Sequence, residues 1–181
     1  MHEKRFNREI ERLRDPDRIA RLEVARVVEL VLAGLEDTKT LLDIGTGSGL
    51  FAEQFAAKGF EVTGLDANPE MIPAAQMFVP TAQFRIGVAE KLPFEDHSFD
   101  ILFMGLLLHE VDDLEKALSE ASRVMKRRIA ILEWPHEVGE FGPPLEHRLS
   151  VEKIASAAKE AGLKMYQQER LDHLVLYILE K

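Results

Sequence analysis

The 181-residue chain carries a net charge of −9, is 46% hydrophobic and 30% charged, and has no cysteine. That length suits one sizeable core and is short for two domains, and the apolar content excludes an extended disordered chain. The acidic balance argues against a broad phosphate-backbone footprint, so the expected partner is a small molecule and not a nucleic acid. Lack of cysteine rules out disulfides, thiolate metal sites and cysteine nucleophiles. The opening stretch MHEKRFNREIERLRD is polar and reads without a secretory signal, and no apolar run reaches the length of a membrane span. The expectation is a cytoplasmic protein of one domain, with 1–37 a helical cover and 38–181 the core; its oligomeric state is left open.

In chain order, apolar Ile19, Leu22, Val27, Leu30 and Val31 recur among charges and predict helix over about 5–35. Asp15 caps it and Pro16 starts its main part. TLLDIG reads as a buried strand and GLFAEQFAAKG as a helix closing on Gly59. FEVTGLD is a strand, PEMIPAAQMF a helix starting at Pro69, and AQFRIGVAE a strand. FDILFMGLLL is an apolar strand, VDDLEKALSEASRVM a helix and RRIAILEW a strand. A Pro/Gly-rich connection, 135–149, leads to the helix SVEKIASAAKEAGL, capped by Ser150. KMYQQERL and HLVLYILEK close the chain as a hairpin. Strands alternating with helices predict a doubly wound, mostly parallel seven-stranded α/β sheet with helices on both faces, ending in an antiparallel hairpin strand at the edge.

In such a sheet ligands gather at the carboxyl ends of the strands. LLDIGTGSG places Gly45, Gly47 and Gly49 directly after the first strand, where a tight turn lets backbone approach a ligand and aims helix N–H groups at it. The dinucleotide pattern G-x-G-x-x-G would need glycine at position 50, which is Leu50, so an NAD-type oxidoreductase is the weaker alternative. Asp43, just before the turn, disfavours a pyrophosphate and suits an ammonium or sulfonium. Asp66, ending the second strand, is placed to accept hydrogen bonds from the hydroxyls of a ribose.

LLDIGTGSG, VTGLDANPEM, GVAEKLPFEDHSFDILFMGLLLHEVDD and ALSEASRVMK together resemble the class I S-adenosylmethionine-dependent methyltransferases, in particular the small-molecule branch that includes ubiquinone- and menaquinone-biosynthesis-type enzymes. The resemblance spans roughly 38–132. It implies S-adenosyl-L-methionine as cofactor and S-adenosyl-L-homocysteine as product. Gly45, Thr46, Gly47 and Gly49 would form the turn under the cofactor, with Asp43 near its amino group and Asp66 on its ribose. Ala67 and Met71 would lie by the adenine, Val88, Ala89 and Glu90 at its edge, and Gly105 and Leu106 at the methionine end. Family members often carry an acidic residue where this chain has Val88, so backbone or Glu90 would take over that contact.

On the acceptor side, His109 follows the fourth strand and is the candidate general base, with a backbone-bonding structural role as the alternative. Glu133, Trp134 and His136 follow the fifth strand as candidate substrate-lining residues. Glu133, His136, Glu137 and His147 are too irregularly spaced for a metal site, so none is expected. Arg12, Arg14, Arg18 and Arg21 alternate with acidic residues and read as a solvated face; were they to face the pocket, an anionic acceptor would follow. The strand end MGLLLH lacks the Asn/Asp-Pro-Pro-aromatic pattern of nitrogen methylation on adenine, cytosine or glutamine. The reading is methyl transfer to a small organic metabolite, with a non-catalytic cofactor- or partner-binding module as the other alternative.

Overall fold

A computed structural model describes residues 10–181. The expected helix over 5–9 and the first part of the polar opening stretch lie outside the described residues.

The strands run β1 (Thr40–Ile44), β2 (Glu61–Asp66), β3 (Gln83–Ile86), β4 (Phe99–Gly105), β5 (Met125–Glu133), β6 (Lys164–Arg170) and β7 (Val175–Glu180). They form one seven-stranded sheet in the order β3-β2-β1-β4-β5-β7-β6. Only β7 runs antiparallel to its neighbours. The antiparallel strand expected at the edge is therefore one place in: β6, half-exposed along its length, forms the edge, and β7 is buried between it and β5. The reason is composition, since VLYIL needs cover on both faces whereas KMYQQER tolerates water.

The helices are α1 (Ile10–Leu13), α2 (Pro16–Arg21), α3 (Val24–Leu32), α4 (Leu50–Ala57), α5 (Met71–Phe78), α6 (Leu114–Val124) and α7 (Val151–Glu160). Apolar residues alternate between two cores along each central strand. In β4, Ile101 and Phe103 pack with α3 and α4, while Leu102 and Met104 pack with α6 and α7. Period-2 alternation with both faces apolar is what a sheet covered on both sides requires.

Several boundaries differ from expectation for local reasons. Over the described residues the N-terminal helix is in three pieces: α2 starts afresh at the Asp15 cap and Pro16, and Glu23, at φ 46°, turns the chain between α2 and α3. Asp15 does cap α2, accepting the Asp17 and Arg18 N–H groups. Helix α5 begins at Met71 instead of Pro69, since Asn68 Oδ1 first takes the Glu70 N–H in a side-chain turn. Strand β4 stops at Gly105 because Leu106 turns into the left-handed region at φ 56°, its N–H bonded to the Leu132 carbonyl.

Arg128, 4% exposed, locks the sheet to the cover. It donates to the Val31 and Ala33 carbonyls at the end of α3 and to Glu180 on β7. Helix-terminal carbonyls and a buried guanidinium thereby satisfy one another.

Candidate functional site

The chain runs outward from β1 through β2 to β3, then returns to place β4 on the other side of β1. The crevice between the ends of β1 and β4 is the topological switch point, where open α/β sheets bind ligands. A cavity of about 920 Å³ opens there, between these strand ends, the α1–α2 segment and the 134–147 connection.

The glycine turn is built by close packing. Gly45 sits at φ 72°, where a side chain is strained, and a Cβ would fall 2.8 Å from Leu107 Cδ1, so Leu107 would have to shift. Its N–H and that of Thr46 both donate to the Leu65 carbonyl, tying the turn to β2. Gly47 lines the cavity, and its N–H donates to Asp66 Oδ2 at 2.8 Å. Gly49 does not line it. It begins α4 at φ 76°, and a Cβ there would lie 3.3 Å from the Ala75 backbone of α5. The third glycine, expected against the cofactor, instead lets two helices approach.

Two carboxylates mark this end. Asp66 accepts the Gly47 N–H on one oxygen and the Asn68 N–H on the other, so its position is fixed from both sides. Asp43 is 2% exposed and accepts the Thr46 hydroxyl at 2.7 Å. Burial, with Asp66 adding repulsion against the relief of the Thr46 bond, pushes its pKa up to about 7. Ser48 Oγ is buried here with no hydrogen-bond partner. Ala67 and Met71, then Val88, Ala89 and Glu90, continue the wall, and Gly105 and Leu106 close it toward β4. Glu90 Oε1 also accepts the Asp112 N–H, which fixes it to the loop before α6.

Beyond Leu106 stands His109. Its Nδ1 lies 2.8 Å from Glu133 Oε2, and its own N–H and that of Trp134 also reach the Glu133 carboxylate. A carboxylate only accepts, so Nδ1 carries the proton and Nε2 is the atom left to titrate, 3.7 Å from Glu110. Burial opposes charging the ring, but the Glu133 carboxylate and hydrogen bond, with Glu110, outweigh it and raise the His109 pKa. Glu133, expected to line the cavity, lies beneath His109 at 1% exposure, outside the lining. His136 is exposed and away from the cavity. Trp134 does line it, its ring packed so closely that a Cβ on Gly142 would fall 2.5 Å from it. Among the described residues, no three His, Asp or Glu side chains gather as a metal site, and no helix is long and apolar enough to cross a membrane.

The cover decides a point the sequence left open. Arg12, Arg18 and Arg21 line the cavity, contrary to the solvated face expected of them. Arg14 points elsewhere, ion-paired to Glu53 at 2.6 Å. The helical break at Glu23 redirects this face, and no periodicity announces it. Phe141, Pro143 and His147 line the opposite cover element, which Arg148 shapes by donating to the carbonyls of Pro135, Glu137, Phe141 and Pro143.

Residues 42–131 match the model of the family described as "Methyltransferase domain". A demethylmenaquinone methyltransferase of Chlorobaculum tepidum is 36% identical over 111 residues, which is 61% of this chain and 46% of that protein. The chain belongs to the class I S-adenosylmethionine-dependent methyltransferases. A malonyl-[acyl-carrier protein] O-methyltransferase of Erwinia billingiae is 32% identical, over 71% of this chain and 56% of that relative. The chain spans about half the length of these curated relatives. Among solved structures, a SAM-dependent methyltransferase from Aquifex aeolicus superimposes with a TM-score of 0.83 at 25% identity, covering 94% of this chain and 95% of that one.

Proposed function

We propose that this chain transfers a methyl group from S-adenosylmethionine to a small organic molecule in the switch-point cavity, with His109 as general base. The observation that carries the reading is one cavity lined by both the fixed Asp66 carboxylate of the glycine turn and His109, which Glu133 backs from outside the lining.

The residues at the β1–β2 end fit the cofactor. Asp66 presents a carboxylate already aligned by two backbone donors, suited to vicinal hydroxyls. Asp43, buried with no cationic side chain among the groups that shift it, suits an ammonium that would restore its ionisation. Ser48 Oγ supplies a buried group in want of a partner. Met71 is apolar and polarisable, as a cover for a ring face needs to be. When bound, the cofactor supplies an electrophilic methyl on a positively charged sulfur.

The chain's own task is to hold the acceptor aligned, keep water out and take a proton. Residues 10–37 and the 134–147 connection act as covers. Glu133 keeps the His109 proton on Nδ1, so that Nε2 meets the acceptor's proton, and it stabilises the imidazolium formed. Such a base contributes about 10²–10⁴-fold.

Calorimetry of the full chain with S-adenosylmethionine, S-adenosylhomocysteine and NAD tests the cofactor half. Binding of the two methionine derivatives and not NAD is expected, and NAD binding alone would overturn it. Release of S-adenosylhomocysteine across a metabolite panel tests turnover.

A further inference from the structure

The cavity changes sign along its length. Its cofactor end is acidic, with Asp43, Asp66 and Glu90, whereas the α1–α2 wall brings Arg12, Arg18 and Arg21. In a chain of net charge −9 such a local reversal focuses anions. Arg21 makes no hydrogen bond or ion pair among the described residues; its contact is with the Phe141 ring, 4.5 Å from guanidinium carbon to ring centre. A cation–π contact uses the charge but none of the N–H donors. Arg18 stands beside it. Burial first, and then the Arg21 charge, lower the Arg18 pKa, while its Nη1 donates to the Leu13 carbonyl. Arg21 thus keeps its N–H donors for an anion in this partly buried space, with the Arg18 charge nearby. Asp15, the acidic residue on this wall, is engaged as the cap of α2. Leu22, Trp134, Phe141 and Pro143 supply apolar surface around the arginines.

We propose that this wall is the acceptor subsite, and that it takes a small molecule with an apolar body and an oxyanion head, a carboxylate or a phosphate monoester, gripped by Arg21. The head is the handle, and the atom that receives the methyl faces His109. This rests on the methyltransferase reading above. The planar fork of arginine pairs with either oxyanion through two parallel hydrogen bonds, which an amide of the same shape cannot match.

The test is calorimetry on the full chain saturated with S-adenosylhomocysteine, titrated with benzoate, phenyl phosphate and the neutral isostere benzamide. At least one acid is expected to bind roughly tenfold or more tightly than benzamide. Arg21→Gln is expected to remove roughly tenfold or more of that affinity, and Arg21→Lys to keep part of it. Preference between the two acids tells carboxylate from phosphate. S-adenosylhomocysteine affinity, measured on each variant, reports that the fold is intact. Benzamide binding as well as the acids, no acid binding at all, or undiminished affinity in Arg21→Gln would overturn the proposal while leaving the methyltransferase reading in place. Failure of S-adenosylhomocysteine to bind the unaltered chain would bring down both.

Discussion

The two ends of the cavity are built in opposite ways. The end proposed for the cofactor is made of strand termini and one tight turn, stitched to the sheet by backbone bonds such as Gly45 and Thr46 to Leu65. The end proposed for the acceptor is made of covers: a helix broken at Glu23 and a connection shaped by the single side chain of Arg148. Binding chemistry carried on loops can change without disturbing the core that supports it.

If the two ends carry separate tasks, changes at each separate cleanly. The largest effect is expected at His109. His109→Ala is expected to cut turnover by about 10²–10⁴-fold with S-adenosylhomocysteine affinity unmoved; full turnover in that variant would remove His109 as base. Glu133→Gln sharpens the point. Turnover needs Nε2 unprotonated, so it rises with pH through a His109 pKa held above 6.5. Removing the carboxylate lowers that pKa, so the acid limb of the pH–rate profile is expected to move to lower pH. A fall in rate with no movement of the limb would assign Glu133 a purely structural part.

The mirror experiment is Asp66→Ala, which is expected to weaken S-adenosylhomocysteine by about 1–3 kcal/mol, roughly five- to 150-fold, in calorimetry. Unchanged affinity would show that the ribose lies elsewhere. The smallest effect is a proton count. Asp43 has its pKa raised from 3.8 to about 7, so ionising it in the fold costs stability as pH rises between those values. A bound ammonium favours the ionised form. S-adenosylhomocysteine affinity is therefore expected to rise with pH through about 7, with proton release on binding, and Asp43→Asn is expected to flatten both. Calorimetry in buffers of different ionisation heat reads the release directly.

The same contrast governs what the sequence disclosed. The alternating strands and helices were legible because burial on both faces of a sheet imposes apolar runs, and the turn was legible because its left-handed backbone at Gly45 favours glycine. Gly49 misled for a related reason: tight packing of α4 against α5 demands glycine as strongly as a ligand does. Glu133 followed the correct strand, but its depth under His109 depends on how β5 ends and not on any spacing. The arginines of the cover were illegible because an alternation of charges looks the same whether a helix faces water or a cavity. Only the turn at Glu23, a residue with nothing in its type to announce φ 46°, settles which way they point.

The contact of Arg21 with Phe141 has a kinetic meaning. It is the seam where one cover meets the other, and a partly exposed cation–π contact is worth about 0.5–1 kcal/mol. Taken alone, a contact of that size is a preference of only roughly two- to fivefold. For an occupant of the proposed subsite this contact is a small obstacle, and the hold on it would come from what the arginine grips. One guanidinium serves as both latch and hook: an occupant that draws it away from the ring loosens the door it entered by.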